Sequence, residues 1–257
     1  VYALEHRAPA LAHAKQFKRL RRTVKRQRTI LGALMRDAQR GLESISQGVA
    51  GHEPTALAVA ELMKWLQRAE QIRTQQRHSK HKLYALHAPE VECISKGKAR
   101  KPYEFGVKVS IVTTNACAPG GQFVLHAAAL PGNPYDGHTL RAAIEDTQRL
   151  TGREIERVYV DKGYRGHDAP KPRRVFISGQ KRGIVGAIKR ELRLRSAIEP
   201  VIGHMKDEGH LGRCYLKGRA GDAANVILSA IGHNFRRILA WLRALWCFFL
   251  TALIAAA

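Results

Sequence analysis

The 257 residues carry 44 Lys+Arg against 21 Asp+Glu, a formal net charge of +23 at pH 7 with a sequence pI near 10.5. A hydrophobic share of 45% is enough for a core, which excludes a disordered basic tail, and the charge disfavours an enzyme of acidic small molecules. The expected partner is a polyanion, nucleic acid first, with ribosome, RNA and anionic membrane left open.

The length suits one large or two smaller domains. Cys93, Cys117, Cys214 and Cys247 lie far apart without a Cys-x-x-Cys spacing, so neither a zinc ribbon nor a thioredoxin-like site is expected. Residues 1–82 read as a basic helical region, with 17 Lys+Arg and 6 Asp+Glu. Eight of the fourteen residues from Lys15 to Arg28 are cationic, and Phe17, Leu20, Val24, Ile30, Leu31 and Leu34 recur among them at helical spacing. A turn over Gly48 to Pro54 and a second helical pattern from Thr55 to Gln76 predict a helical hairpin, whose basic face is either solvated or set against phosphate.

Residues 83–257 change character. Phe105, Val107, Val109 and Ile111 alternate with Gly106, Lys108 and Ser110; after Pro119-Gly120-Gly121 a second extended run covers Gln122 to Leu130, predicting an antiparallel hairpin. Pro131-Gly132-Asn133-Pro134 ends it. Leu140, Ala143, Ile144, Thr147 and Leu150 then mark an amphipathic helix closed by Gly152. A short strand from Ile155 to Asp161 follows, then a cationic stretch from Lys171 to Arg195 whose one acid is Glu191. A last helix is predicted over roughly Ala220 to Ile254. Its apolar end after Arg243 is shorter than the roughly 20 residues a spanning helix needs, so it is read as packed on the domain, with no membrane partner. The element order is that of an α/β protein.

Two acids stand out on this cationic background. Asp161 closes an apolar strand and opens into Lys162-Gly163-Tyr164-Arg165-Gly166, and Glu199 follows the cationic stretch with Lys206 seven residues on. Phosphoryl transfer needs such acids, because hard oxygen ligands hold the Mg²⁺ ions that activate a hydroxyl and neutralise a leaving oxygen. On one helix, Arg195, Glu199 and Lys206 would share a face. Structural readings compete: Ser196-Ala197-Ile198-Glu199 fits a capping box strengthened by Pro200, and Asp161 could anchor the Gly163 turn. Tyr164 and Arg165 could stack on or clamp DNA, or pack the loop. Asp136 and His138 could form a metal pair but read first as turn and cap residues, His204 could touch substrate phosphate but reads first as a surface histidine, and Glu90 and Glu92 read as solvated.

The segments Val158 to Gly166 and Arg195 to Lys206 together resemble the second and third acidic motifs of bacterial insertion-sequence DDE transposases, of the fifth and fourth insertion-sequence families. Tyr103 to Val109 and Gly132 to Leu140 resemble the intervening strand and pre-helix segments. The resemblance implies a ribonuclease-H-like mixed sheet with flanking helices, preceded by the basic helical region. It further implies Mg²⁺ (or Mn²⁺) as cofactor, cleavage at the ends of a mobile element, and strand transfer into target DNA. Asp161 and Glu199 would be catalytic metal ligands; Arg195, Lys206, Lys162, Arg165 and Tyr164 would face DNA. Double-stranded DNA is the implied partner, a homodimer is compatible with it, and the place is the nucleoid-associated bacterial cytoplasm. Two departures matter. Leu192 stands where the Arg-x3-Glu-x6-Lys signature often has Tyr, and only Asp37, in helical sequence, precedes the hairpin where the family has its first Asp. The expectation is therefore a C-terminal portion whose first acidic strand lies before Val1, inactive alone. A non-catalytic basic nucleic-acid-binding protein and a ribonuclease-H-like nuclease without strand transfer are the rivals.

Overall fold

The computed structural model describes residues 11–12, 14–48, 53–76, 78–96, 103–116, 121–171 and 174–256. It divides into two compact units, Val1–Val91 and Glu92–Ala257.

The first unit is the helical hairpin, α1 (Phe17–Gly48) and α2 (Glu53–Thr74). Residues 49–52 of the predicted turn lie outside the described residues. α1 buries Thr23, Met35 and Leu42, whereas Phe17 and Leu34 of the predicted stripe are exposed. After α2 the chain folds back. The Gln75 side chain brackets Leu83, donating to its carbonyl at 2.9 Å and accepting its N–H at 3.0 Å, while Arg28 donates to the Gln75 carbonyl at 3.1 Å. Asp37 is an exposed residue of α1 paired with Arg40, consistent with its helical, basic sequence.

The second unit opens with two hairpins. β1 (Glu92–Ser95) pairs antiparallel with β2 (Tyr103–Gly106), and β3 (Lys108–Thr113) with β4 (Val124–Leu130). The strand predicted through residues 105–111 is thus split. Gly106, at φ +140°, takes a conformation that side-chain-bearing residues rarely adopt, and it turns the chain between two different ladders. Residues 119–120 of the predicted break lie outside the described residues. β1 was not expected. Glu92, read as solvated, instead accepts the Gly132 N–H at 2.6 Å through one oxygen and buries the other.

α3 (Leu140–Thr151) ends where predicted, Gly152 at φ 64° donating its N–H to the Gln148 carbonyl in the left-handed cap that glycine favours. It buries Leu140, Ala143, Ile144 and Thr147, whereas Leu150 of the predicted face is exposed in the last turn. β5 (Arg157–Val160) then pairs in parallel with β6 (Arg174–Ile177), and Leu140, Ile144 and Val160 form a core with Val158, Val175 and Ile177 around it. β6 was hidden in the cationic stretch. The two connections after it are α4 (Gly186–Leu194) and α5 (Ile198–Asp207), and the chain closes with α6 (Gly218–Ala256).

The fold is mixed α/β with flanking helices, as expected, but not one mixed sheet. Among the described residues the strands form three two-stranded sheets, each strand with a single ladder partner. What joins the β3–β4 hairpin to the helices is a second core of Val124, Val201, Met205 and Ala230. Asn234 of α6 closes the hairpin's edge, accepting the Val124 N–H at 2.9 Å and donating to its carbonyl at 2.8 Å. His233, 2% exposed, lies beside it with Nε2 3.2 Å from the Gln122 carbonyl.

Burial holds the His233 imidazole below its usual value of about 6.5, opposed by the Gln122 carbonyl and reinforced by Arg237 and Arg236. An unfolded chain takes up the proton near pH 6.5 and the folded chain does not. This contribution is therefore complete above pH 6.5 and is lost as pH falls toward the depressed folded value. His233→Gln should be less stable near neutrality and lose less between about pH 7.5 and about pH 5.5 than the parent. Denaturant midpoints at the two pH values check this; parallel losses in both proteins would refute it. His126 is shifted the same way by burial, opposed by Asp146, so the variant should retain part of the slope.

The end of α6 departs from expectation. Phe123 meets Trp241 edge-on at 5.2 Å, but Leu242, Leu245, Trp246 and Phe249 are all exposed, so the helix is not packed on the domain there. Because the helix is continuous from Gly218, it also contains an 18-residue apolar window that satisfies the length and composition of a membrane span.

Candidate active site

Asp161 sits where β5 runs out of ladder. Val160 is buried; the next residue, still extended at φ −79° and ψ 170°, is exposed and begins a 3₁₀ turn over Lys162–Tyr164. Its carboxylate accepts the Lys162 N–H at 2.7 Å, the turn-anchoring role weighed from sequence, and that bond leaves most of its acceptor capacity unused.

The following loop is clamped to the segment before α3. Tyr135 donates to the Arg165 carbonyl at 2.5 Å, Asp168 donates its N–H to the Gly137 carbonyl at 3.0 Å, and the Asp168 carboxylate accepts the Arg141 N–H at 2.9 Å. Asp136 is drawn into the same place. Its Oδ1 pairs with Lys108 at 2.7 Å, and its Oδ2 lies so close to Gly163 that a Cβ there would sit 2.6 Å away. Only glycine fits at 163 without displacing that carboxylate. Asp136 was read as a turn residue; its place against Gly163, the second residue after Asp161, depends on the fold of two loops, which no local spacing encodes. Tyr164 is part-buried against Leu140, Ile144 and Val160, and its phenol is raised by that burial and then by Asp136 and Asp161. Lys162 and Arg165 are the exposed cations of the loop.

Glu199 is placed by a relay of amide contacts. Asn115 donates to the Glu191 carbonyl at 2.9 Å and Gln122 to the Leu194 carbonyl at 3.3 Å, so side chains from the β3–β4 connection satisfy carbonyls in the last turns of α4. The Glu191 carboxylate bonds Arg157 at 3.2 Å and the Tyr159 hydroxyl, tying α4 to β5. Burial, then the Glu191 bond, push the Tyr159 phenol up to about 12. The one acid of the cationic stretch therefore has a structural role.

The capping box does not form. Ser196 donates to the Arg193 carbonyl at 2.8 Å, and Ala197, before α5, already has helical dihedrals, so α4 continues through a 3₁₀ turn over Arg195–Ala197 into α5. Glu199 is consequently relieved of capping. It is exposed in the first turn of α5, and among the described residues it has no hydrogen-bond or ion-pair partner. Val201 and Met205 are the buried side of α5; Glu199 and Lys206, seven residues apart, share the exposed side. Arg195 lies in the tighter 3₁₀ turn, at roughly three residues per turn, so it is rotated from the single-helix face predicted for it. His204 pairs with Glu208 at 2.8 Å, and Glu208 with Arg236 at 3.3 Å, the surface role expected of that histidine.

The donor chemistry fits a hard divalent cation: Asp161 and Glu199 are exposed carboxylates that have no cationic partner among the described residues. The donor count is smaller than a full cage, since among the described residues no group of three or more His, Cys, Asp or Glu side chains gathers to hold an ion.

The frame is mixed α/β, with one acid at the end of an apolar strand and a second on a helix after a basic stretch. Residues 69–235 match the family model described as the transposase DDE domain, and the chain belongs to that family. Searches of curated proteins and of solved structures return no match.

Proposed function

We propose that this chain carries out DNA transposition chemistry of the bacterial insertion-sequence type, in the fifth and fourth families, on a ribonuclease-H-like frame. The observation that carries the reading is the state of the two acids. In a region dense with Lys and Arg, Asp161 and Glu199 are exposed and, among the described residues, without ion pairs, whereas Glu191 and Glu208, the neighbouring structural acids, are each bound to arginine. Exposed carboxylates on a cationic surface repel phosphate unless a cation comes between, and Asp161 keeps most of its acceptor capacity free beyond the Lys162 N–H.

Asp161 and Glu199 would hold Mg²⁺ (or Mn²⁺), which when bound supplies Lewis-acid stabilisation of the phosphoryl oxygens and activates a hydroxyl nucleophile. Lys206, on the Glu199 side of α5, and Arg195, in the 3₁₀ turn just before that helix, hold the DNA phosphates; Lys162 and Arg165 do so beside Asp161. Tyr164 braces that loop from within. The basic α1–α2 hairpin supplies sequence-independent affinity for double-stranded DNA, both element ends and target, in a bacterial cytoplasm. The β3–β4 hairpin, α3, and the parallel β5–β6 pair are the ribonuclease-H-like elements in this reading.

The test compares the full-length gene product with its Glu199→Gln variant on element-end DNA in Mg²⁺. Nicking should fall by at least about 100-fold with DNA retention unchanged, as loss of a ligand worth several kcal/mol requires. Undiminished nicking would support a nucleic-acid-binding protein whose acids are structural.

A further inference from the structure

Between the end of α5 and the first half of α6 lies a cationic pocket that neither the core nor the phosphoryl-transfer residues use. It is a cavity of about 120 Å³ lined by His204, Glu208, His233, Arg236 and Arg237. Glu208 is its one carboxylate. That group pairs with His204 at 2.8 Å and with Arg236 Nε at 3.3 Å, so it fixes two of the lining side chains and leaves the other arginine unmatched. Arg237 has no hydrogen-bond or ion-pair partner among the described residues.

The Arg237 guanidinium is nevertheless seated. Gly121, at φ +90°, presents bare backbone to it: a Cβ on Gly121 would lie 3.4 Å from the guanidinium carbon and 3.5 Å from each terminal nitrogen. The near-equal distances place the flat face of the guanidinium over the glycine, so its N–H edge is left for a ligand. The next residue ties this seat to the rest of the site. The Gln122 carbonyl lies 3.2 Å from His233 Nε2, and its side chain donates at 3.3 Å to the Leu194 carbonyl, directly before Arg195. Arg237, His233 and the Arg195 turn thus share one dipeptide as their support.

Size and charge select the ligand. About 120 Å³ is the liquid volume of about four waters, well below the roughly 300 Å³ at which pockets enclose larger organic ligands, so a single oxyanion fits and a base with its sugar does not. Two arginines beside one carboxylate repel a metal cation, and among the described residues no group of three or more His, Cys, Asp or Glu side chains gathers to hold one. A permanently charged planar guanidinium matches phosphate geometry. His204 lies five residues beyond Glu199, about 7.5 Å along α5, the axial length of about two nucleotides of one DNA strand. We infer that this pocket binds a backbone phosphate of DNA flanking the bond to be cut, with Arg237 as the principal contact and Arg236 and His204 beside it. The inference rests on the DNA reading above and adds to it a contact that needs no metal.

Binding of a short DNA duplex of arbitrary sequence to the full-length gene product, followed across a salt series without divalent metal, tests this. Arg237→Gln should weaken binding about 10-fold at low salt and flatten the log–log salt slope by about 0.9, the loss of one phosphate contact, whatever the duplex sequence. Arg153→Gln removes an exposed arginine after α3, outside the pocket, and should leave the slope unchanged. In the parent, inorganic phosphate should move the His204 imidazole NMR resonances, and in Arg237→Gln it should not. A parent that binds the duplex with a slope unmoved by Arg237→Gln overturns the pocket alone, whereas a parent that binds no duplex overturns the DNA reading with it. Equal losses of slope in the two variants would reduce the effect to general charge. Resonances that respond to inorganic phosphate beside an unmoved slope would make this a site for free phosphate, against its assignment to DNA. Resonances that stay in place as phosphate is added to the parent would sink the proposal without recourse to any variant.

Discussion

Asp161→Ala in the full-length gene product should lower Mg²⁺-dependent cleavage of element-end DNA by about 10³-fold, the rate equivalent of the several kcal/mol a metal ligand set supplies. Affinity for the same DNA should change little, because counterion release is set by the cations, and the binding constant should keep its steep fall with salt. The decisive comparison is Asp161→Asn. The bond made by Asp161 in the structure is to the Lys162 N–H, at 2.7 Å, and an asparagine oxygen can accept that bond equally well. If Asp161 anchors the turn and nothing more, Asn should behave like the parent and Ala should lose a modest amount of stability. As a metal ligand, Asn should be as inactive as Ala while unfolding at the parent's denaturant concentration. Single-turnover cleavage beside denaturant unfolding separates the two, and full activity in the Asn variant would refute the assignment.

The parts of the fold that were legible are those where one local rule decides. α3 was readable in its buried positions and in its Gly152 cap, because helix period and the left-handed cap are both written within a dozen residues. β6 was not, since Arg174-Val175-Phe176-Ile177 sits among lysines and arginines, and only its ladder to β5 converts three apolar residues into a strand. The split of the predicted strand at Gly106 likewise depends on β1, which alternation alone did not disclose. Site residues divide in the same way. Asp161 was marked by an apolar run that ends in an acid. Glu199 was ambiguous, because Ser196 could have capped the helix; the 3₁₀ continuation from α4 removes the free N–H groups that a cap would serve. Asp136 was missed as a neighbour of Asp161, and Glu191 as a brace, since both are brought into place by contacts 27 to 32 residues away in sequence, Asp136 to Gly163 and Glu191 to Tyr159. The helical spacing of Leu242, Leu245 and Phe249 was in plain sequence, but spacing alone does not say whether a face is covered, and these three are exposed.

Met205 is where the fold and the candidate site are most tightly joined. It is fully buried, at 0% exposure, between Val124, Val201 and Ala230, so a single side chain fastens α5 to both the hairpin and α6. Met205→Ala should cost about 2–5 kcal/mol, the transfer term for the lost side chain plus the void it leaves. Met205→Leu conserves volume and should cost less than about 1.5 kcal/mol. The functional consequence follows from position. Lys206 is the next residue and Glu199 lies less than two turns back on the same short helix, so loosening the Met205 anchor displaces both. Cleavage by Met205→Ala should therefore fall more steeply with temperature than its global unfolding accounts for, while Met205→Leu tracks the parent. Denaturant midpoints and cleavage rates taken across one temperature series give both quantities. A Met205→Ala protein within about 1 kcal/mol of the parent would mean that this core is not what holds α5 in place.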